Sequence, residues 1–190
     1  MDLLAVGLGN PGSEYEQTRH NLGAATVDLL ARRHGAPLRR ARALSALASE
    51  ATVDGHSLAL AFPQTFMNDS GRAVRALIRR YGILELARLV VVHDELDLPV
   101  GTVRVKLGGG TAGHNGLRSI EAHVGGAGFA RVRIGIGHPP GRGDGARYVL
   151  SAPRGTEREA LAVSVEEAAD AVELVLRHGV DAAMNAVNGR

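Results

Sequence analysis

Leu89-Val90-Val91-Val92-His93-Asp94-Glu95-Leu96-Asp97 is the stretch that decides how this 190-residue chain is read. Leu89 to Val92 is an uninterrupted apolar run, three of its four residues β-branched, and a strand buried on both faces has that pattern. It leads directly into a histidine and three carboxylates. Ligands of open α/β sheets bind outside the carboxyl ends of such strands, so His93, Asp94, Glu95 and Asp97 mark a candidate site.

Working outward, Leu3 to Gly7 is a second short buried strand, followed by a turn at Asn10-Pro11-Gly12. From Asn21 to His34, Leu22, Ala25 and Leu29 fall at helical spacing, with Gly35 and Pro37 as stop signals, so His20 lies at the mouth of that helix. Two strand-like runs, about 45–53 and 57–62, meet at Asp54-Gly55, a strong hairpin signal. Val74, Leu77, Ile78 and Tyr81 form the apolar stripe of a second helix, from which Arg72, Arg75 and Arg79 project on another side. A strand over 103–107, a glycine-rich stretch over 108–116, a short helix to about Val124 and an alternating strand over 131–137 follow, then a Gly/Pro-rich loop over 138–145. Thr156 and Glu159 have capping-box spacing ahead of a long helix carrying Leu161, Val165, Ala168, Val172 and Leu176 and closed by Gly179. Residues 181–187 add a further turn or two. Strands alternating with helices, plus one hairpin, predict a single α/β domain over 1–190 with a mixed sheet and C-terminal helices from about 156.

The composition, 45% apolar and 22% charged with no cysteine, excludes disorder, disulfide scaffolds, thiolate nucleophiles and cysteine-bearing zinc sites. No apolar run approaches the roughly 20 residues that span a bilayer, and the amino terminus has no basic n-region, so a soluble cytoplasmic protein is expected. Residues 1–150 carry 18 Lys and Arg against 13 Asp and Glu, whereas residues 151–190 carry 4 against 7. A mildly basic body is thus joined to an acidic tail. All the bases but Lys106 are arginine, whose planar fork suits phosphate.

Gly7-Leu8-Gly9-Asn10-Pro11-Gly12 matches the dinucleotide fingerprint G-x-G-x-x-G, but its context does not. Pro11 and the polar residues 13–18 delay the helix that should contain the third glycine, and Asp28 falls inside a helix instead of at the end of a second strand. Gly108 to Gly113 matches the same pattern without the strand and acid, and its amides, with a helix start near Asn115, could receive a carbonyl or phosphate oxygen. His20, His93, Asp94, Glu95, Asp97 and His114, with Asn10, Asn68 and Asn115, all stand at turns or element ends. The histidines and carboxylates could ligate a metal, although no H-x-x-x-H pair puts two imidazoles on one helical face. A hydrolase without metal, cysteine or a G-x-S-x-G serine must activate water through a general base. Histidine, with a reference pKa of about 6.5, suits that task, and Asp94 is the best-placed carboxylate to orient one.

Seven co-linear blocks resemble the bacterial peptidyl-tRNA hydrolase family: G-L-G-N-P-G-x-x-Y (7–15), T-R-H-N (18–21), P-x-T-F-M-N-x-S-G (63–71), H-D-E-L-D-L-P-x-G (93–101), K-L-G-G-G (106–110), G-H-N-G-L (113–117) and R-I-G-I-G-H-P (133–139). The resemblance runs from about Leu3 to Leu150 and more loosely beyond. It implies a monomeric α/β domain, a twisted mixed sheet covered by helices, that cleaves the ester between a peptide and its tRNA without a cofactor or metal. By the same resemblance His20 matches the catalytic base and Asp94 its orienting carboxylate, and the neutral carboxamide of Asn68 is chemically suited to donate to the oxyanion. Asn10, Phe66, Met67, Asn68, Gly113, His114 and Asn115 match the substrate crevice. Tyr15 matches an aromatic stop for the tRNA end, and Lys106 and Arg133 match phosphate contacts, to which Arg72, Arg75 and Arg79 could add. Where family members commonly carry glycine, this chain has Ala112, with Thr111 before it, which makes for a stiffer loop. Two other readings compete: a non-catalytic RNA-binding module of the same family, and a metallohydrolase built on His20, His93, Asp94 and His114.

Overall fold

The structure, a computed structural model, describes residues 1–189. Its seven strands are β1 (Leu3–Gly7), β2 (Arg39–Ala41), β3 (Ala46–Val53), β4 (His56–Pro63), β5 (Leu89–Glu95), β6 (Val103–Leu107) and β7 (Ala130–Gly135), in the sheet order β2-β3-β4-β1-β5-β7-β6. β1 is parallel to β4 and β5, and β5 to β7, while β2, β3 and β6 run antiparallel to their neighbours. The mixed α/β sheet expected from the alternation of elements is therefore present, and the apolar run of β5 lies near its centre.

Six helices cover the sheet: α1 (Leu22–Arg33), α2 (Ser70–Tyr81), α3 (Asn115–Val124), α4 (Gly145–Val149), α5 (Gly155–His178) and α6 (Val180–Asn188). Strand residues alternate between two cores. Ala5, Val90, Val92, Val132 and Ile134 meet α1, α5 and α6, and Leu4, Val6, Leu89 and Val91 meet α2 and α3. No helix among the described residues is long and apolar enough to cross a membrane.

The glycines of the first block allow a close approach of helix to sheet, which places His20. A Cβ on Gly7 would lie 2.1 Å from the Gly23 carbonyl oxygen, and one on Gly23 would lie 2.1 Å from that of Val92. A Cβ on Gly9 would press on the Asn21 carboxamide at 2.8 Å. The G-x-G pattern thus brings the start of α1 against the carboxyl ends of β1 and β5, with no dinucleotide loop.

One local expectation is corrected, and two short elements, β2 and α4, carry no signal in the sequence. Thr156 and Glu159 form no capping box: α5 starts at Gly155 after an Arg154 cap that makes no side-chain hydrogen bond. The start of α5 is instead held from a distance, by the hydrogen bonds of Arg19 to Ser151 and Glu157. β2 has no apolar signal, being an exposed edge strand of two arginines and an alanine. α4 is a single turn capped by Asp144, whose carboxylate accepts from the Ala146 N–H at 2.9 Å, and nothing periodic marks it.

Arg19 is itself a structural finding. It is buried, its guanidinium donates to Glu157 (2.8 Å) and to Ser151 Oγ (2.5 Å), and it lies 4.1 Å from the Tyr148 ring centroid. It thereby ties the α4 segment to the turn that carries His20. Replacing Arg19 with methionine is expected to cost about 2–4 kcal/mol of stability in urea melts. That lies at or below the usual cost of breaking a buried pair, because the Glu157 side chain keeps 32% exposure and can rehydrate.

Candidate active site

Six of the expected residues, His20, Asp94, Glu95, Gly113, His114 and Asn115, line one cavity of about 250 Å³, together with Leu96, Ala112 and residues of α4. His20 arrives on a short 3-10 turn (Arg19–Asn21) before α1, Asp94 at the end of β5, and His114 as the N-cap of α3. Asp94 is buried, and its two oxygens are divided between two imidazoles: Oδ2 lies 2.8 Å from His20 Nδ1 and Oδ1 lies 2.9 Å from His114 Nε2. Burial pushes the Asp94 carboxyl upward, but the two imidazoles that face it, His20 and His114, outweigh burial and hold its pKa well below the usual carboxylate range. An ionised carboxylate only accepts, so both facing ring nitrogens donate.

The tautomers follow. His114 Nδ1 accepts from the Gly116 and Leu117 N–H groups at 3.1 and 3.4 Å, so this neutral ring is held at both ends. His20, donating through Nδ1, is left with a bare Nε2. That atom makes no hydrogen bond among the described residues and, unlike Nε2 of His93, is not sealed off. A neutral imidazole with one nitrogen anchored on a carboxylate and the other free can accept a proton from water.

His93 is adjacent but different. It is fully buried, its Nδ1 donates to the Asp94 carbonyl at 2.8 Å, and burial together with neighbouring His114 pushes its pKa down to about 3. Because its unfolded pKa is about 6.5, the unfolded chain binds the extra proton between those values. Stability contributed by neutral His93 is therefore present above about pH 6.5 and is lost as pH falls toward 3, at up to about 1.4 kcal/mol per pH unit. Urea melts should show His93→Asn gaining on the parent through that window; parallel curves would contradict the assignment.

A second cluster forms beside the cavity. The Asn21 carboxamide pairs with the Asn10 backbone through two 2.9 Å hydrogen bonds, and Asn10 Oδ1 accepts from the Met67 N–H at 2.8 Å. This fixes the 3-10 turn Met67–Asp69, on which Met67 is buried and Asn68 is exposed with no side-chain hydrogen bond among the described residues. Asn10 Nδ2 is likewise unengaged. Phe66, 60% exposed, precedes the turn. Neither Asn10, Phe66, Met67 nor Asn68 lines the cavity of His20, and Tyr15, Lys106 and Arg133 also lie outside it. Arg133 stands 3.5 Å from Glu95, and the Lys106 side chain covers Gly109. Asp97 does not join the site: it is exposed and pairs with His138 at 3.0 Å.

Sequence reasoning did not single out Asn21 or Arg19. Asn21 leaves no local trace. A cation just before the amino end of α1, where the helix dipole disfavours it, was a legible sign that Arg19 has a distant partner. Ala112 adopts φ +48°, a left-handed conformation that costs a residue with a Cβ about 1 kcal/mol, so the alanine narrows the cavity loop where glycine would leave it free.

A metal fits this donor set poorly. His20, Asp94 and His114 offer ligand atoms within 4.8 Å of one another, yet the facing nitrogens are N–H donors in direct contact with the carboxylate.

A family model described as peptidyl-tRNA hydrolase matches residues 4–190. The chain belongs to the peptidyl-tRNA hydrolase family. It is 51% identical over 182 residues to the peptidyl-tRNA hydrolase of Nocardia farcinica, covering 96% of this chain and 94% of that one. It is 47% identical over 186 residues to that of Mycobacterium tuberculosis, covering 98% and 97%. Among solved structures, the peptidyl-tRNA hydrolase of Acinetobacter baumannii superimposes with a TM-score of 0.92 at 40% identity, covering 98% of this chain and 94% of that one. The family and the fold implied by the seven blocks are thereby established.

Proposed function

We propose that this chain hydrolyses the ester between a peptide and the terminal ribose of tRNA, with His20 as general base. The observation that carries the reading is the His20–Asp94 hydrogen bond, which leaves the bare Nε2 toward a cavity. Nε2 takes a proton from water as the oxygen attacks the ester carbonyl, and Asp94 stabilises the imidazolium that forms. Asn68, whose amide is unengaged, donates to the developing oxyanion. The intermediate then collapses with transfer of the proton to the departing ribose oxygen. Asn10, Phe66, Met67, Gly113, His114 and Asn115 form or support the peptide crevice. Main-chain donors and acceptors common to all peptides suit an enzyme that ignores side-chain sequence. Tyr15, Lys106 and Arg133 receive the tRNA end.

The protein acts as a cytoplasmic monomer in this reading, and the sheet edges favour the monomer. β6 is blocked by Asn188, whose carboxamide pairs with both backbone groups of Val105 at 2.8 Å, and β2 is three residues long with two exposed arginines. Short, charged or covered edges resist pairing with a second chain. The direct test is hydrolysis of purified N-acylated aminoacyl-tRNA with EDTA present. Release of the acylated amino acid supports metal-independent catalysis; activity abolished by chelation and restored by a metal would favour the metallohydrolase, and binding without release the RNA-binding module.

A further inference from the structure

The sheet separates charge as well as layers. On one side α2 carries four arginines and no carboxylate; on the other, α5 and α6 together carry seven carboxylates and two arginines. Ion pairing follows the same division. Arg19, Arg33 and Arg177, which face α5 or belong to it, are tied to acids at 2.6–3.1 Å. On the α2 side, Arg131, buried beneath the surface, pairs with Glu121 of α3 at 3.0 Å and Arg133 stands 3.5 Å from Glu95, but the outer arginines are almost without partners: Arg80 has only a 3.7 Å contact with Glu50, and Arg72, Arg75, Arg79 and, on α3, Arg118 are exposed with no ion pair among the described residues.

These arginines form one surface. Positions 72, 75 and 79 are three and four residues apart and so share a stripe of α2, which begins directly after the Asn68 turn. α3 lies against α2 so closely that a Cβ on Gly71 would sit 2.0 Å from the Ser119 carbonyl oxygen, which brings the helix of Arg118 alongside the stripe. Strand alternation then extends the surface. Val103, Val105, Val132 and Ile134 face the α1 and α5 core, so Lys106 and Arg133 lie on the α2 and α3 side of the sheet. Arg75 and Arg79 also stand at the i, i+4 spacing where like charges repel, and a polyanion would relieve that repulsion.

We infer that the α2 and α3 face is a binding surface for the sugar-phosphate backbone of tRNA beyond the terminal nucleotides that enter the crevice. The inference rests on the tRNA reading of the active site. Arginine forks bind phosphate oxygens without reading bases, as an enzyme serving every tRNA requires.

The test compares the parent with the triple variant Arg72→Gln, Arg75→Gln, Arg79→Gln, which keeps good helix formers and leaves the apolar stripe of α2 untouched. Binding of fluorescent deacylated tRNA is measured against salt. KM is measured on an N-acylated aminoacyl-tRNA and on a short oligonucleotide ester ending in CCA. The variant should bind whole tRNA about 10-fold more weakly at low salt, its log-log salt slope should be shallower by about 2 to 3, and KM should rise on whole tRNA but not on the short ester. Arg158→Gln, on the acidic side, should leave the slope unchanged. A triple variant within about twofold of the parent in Kd and slope, an equal loss on the short ester, or an equal effect of Arg158→Gln would each overturn the inference. Deacylated tRNA tests the surface without ester cleavage, so failure of the catalytic reading would show separately as missing hydrolysis.

Discussion

Replacing His20 with alanine is expected to lower turnover of N-acylated aminoacyl-tRNA by about 100- to 10,000-fold, the usual contribution of a positioned general base. His20 is the residue in the cavity whose ring has one nitrogen fixed and the other free. His114 has both nitrogens engaged, and His93 is sealed in the core. The loss should appear in kcat with KM little changed, since the ring takes its proton during the reaction instead of holding substrate. Turnover of His20→Ala within about threefold of the parent, in a preparation free of parent enzyme, would remove His20 from the mechanism.

Asp94→Asn should be nearly as damaging, for a reason specific to its two partners. The carboxylate accepts two hydrogen bonds, one from each imidazole; a carboxamide accepts with one end and donates with the other. If the amide nitrogen faces His20, Nδ1 must become the acceptor and the proton moves to Nε2, which removes the base. If it faces His114, that ring must protonate Nδ1, which then opposes the Gly116 and Leu117 N–H groups and loosens the start of α3. Either orientation fails, so kcat should fall about 100- to 10,000-fold, as for loss of the base itself, while tRNA affinity changes little. A pure loss of affinity with kcat retained would make Asp94 a structural residue.

Much of this site is legible in the sequence because its parts stand at element ends that local rules locate. The apolar run of β5 ends where the carboxylate is needed, Gly35 and Pro37 bound α1 and leave His20 at its mouth, and Asp54-Gly55 marks the hairpin of β3 and β4. What local spacing does not carry is long-range partnership. Arg19 meets Ser151 and Glu157 more than 130 residues away, Asn10 reaches Met67, 57 residues on, beyond the end of the neighbouring strand, and the second imidazole on Asp94 comes from a loop 20 residues downstream. The capping-box spacing at Thr156 and Glu159 misleads in the same way, since α5 starts one residue earlier, at Gly155, and its first turn is held by Arg19 through Glu157. The glycine pattern at Gly7 and Gly9 resembles a nucleotide loop because close approach of a helix to a strand calls for the same residue as close approach of a phosphate.

In the proposed mechanism His20 stores its proton on the Asp94 side and presents a bare nitrogen to water. ¹⁵N NMR of the imidazoles at neutral pH reads that directly. The His20 ring, assigned by its disappearance in His20→Ala, should show a protonated Nδ1 and an unprotonated Nε2 in its neutral form. It should shift toward the opposite tautomer or a mixture in Asp94→Asn. A neutral His20 that carries its proton on Nε2 in the parent protein would contradict the account.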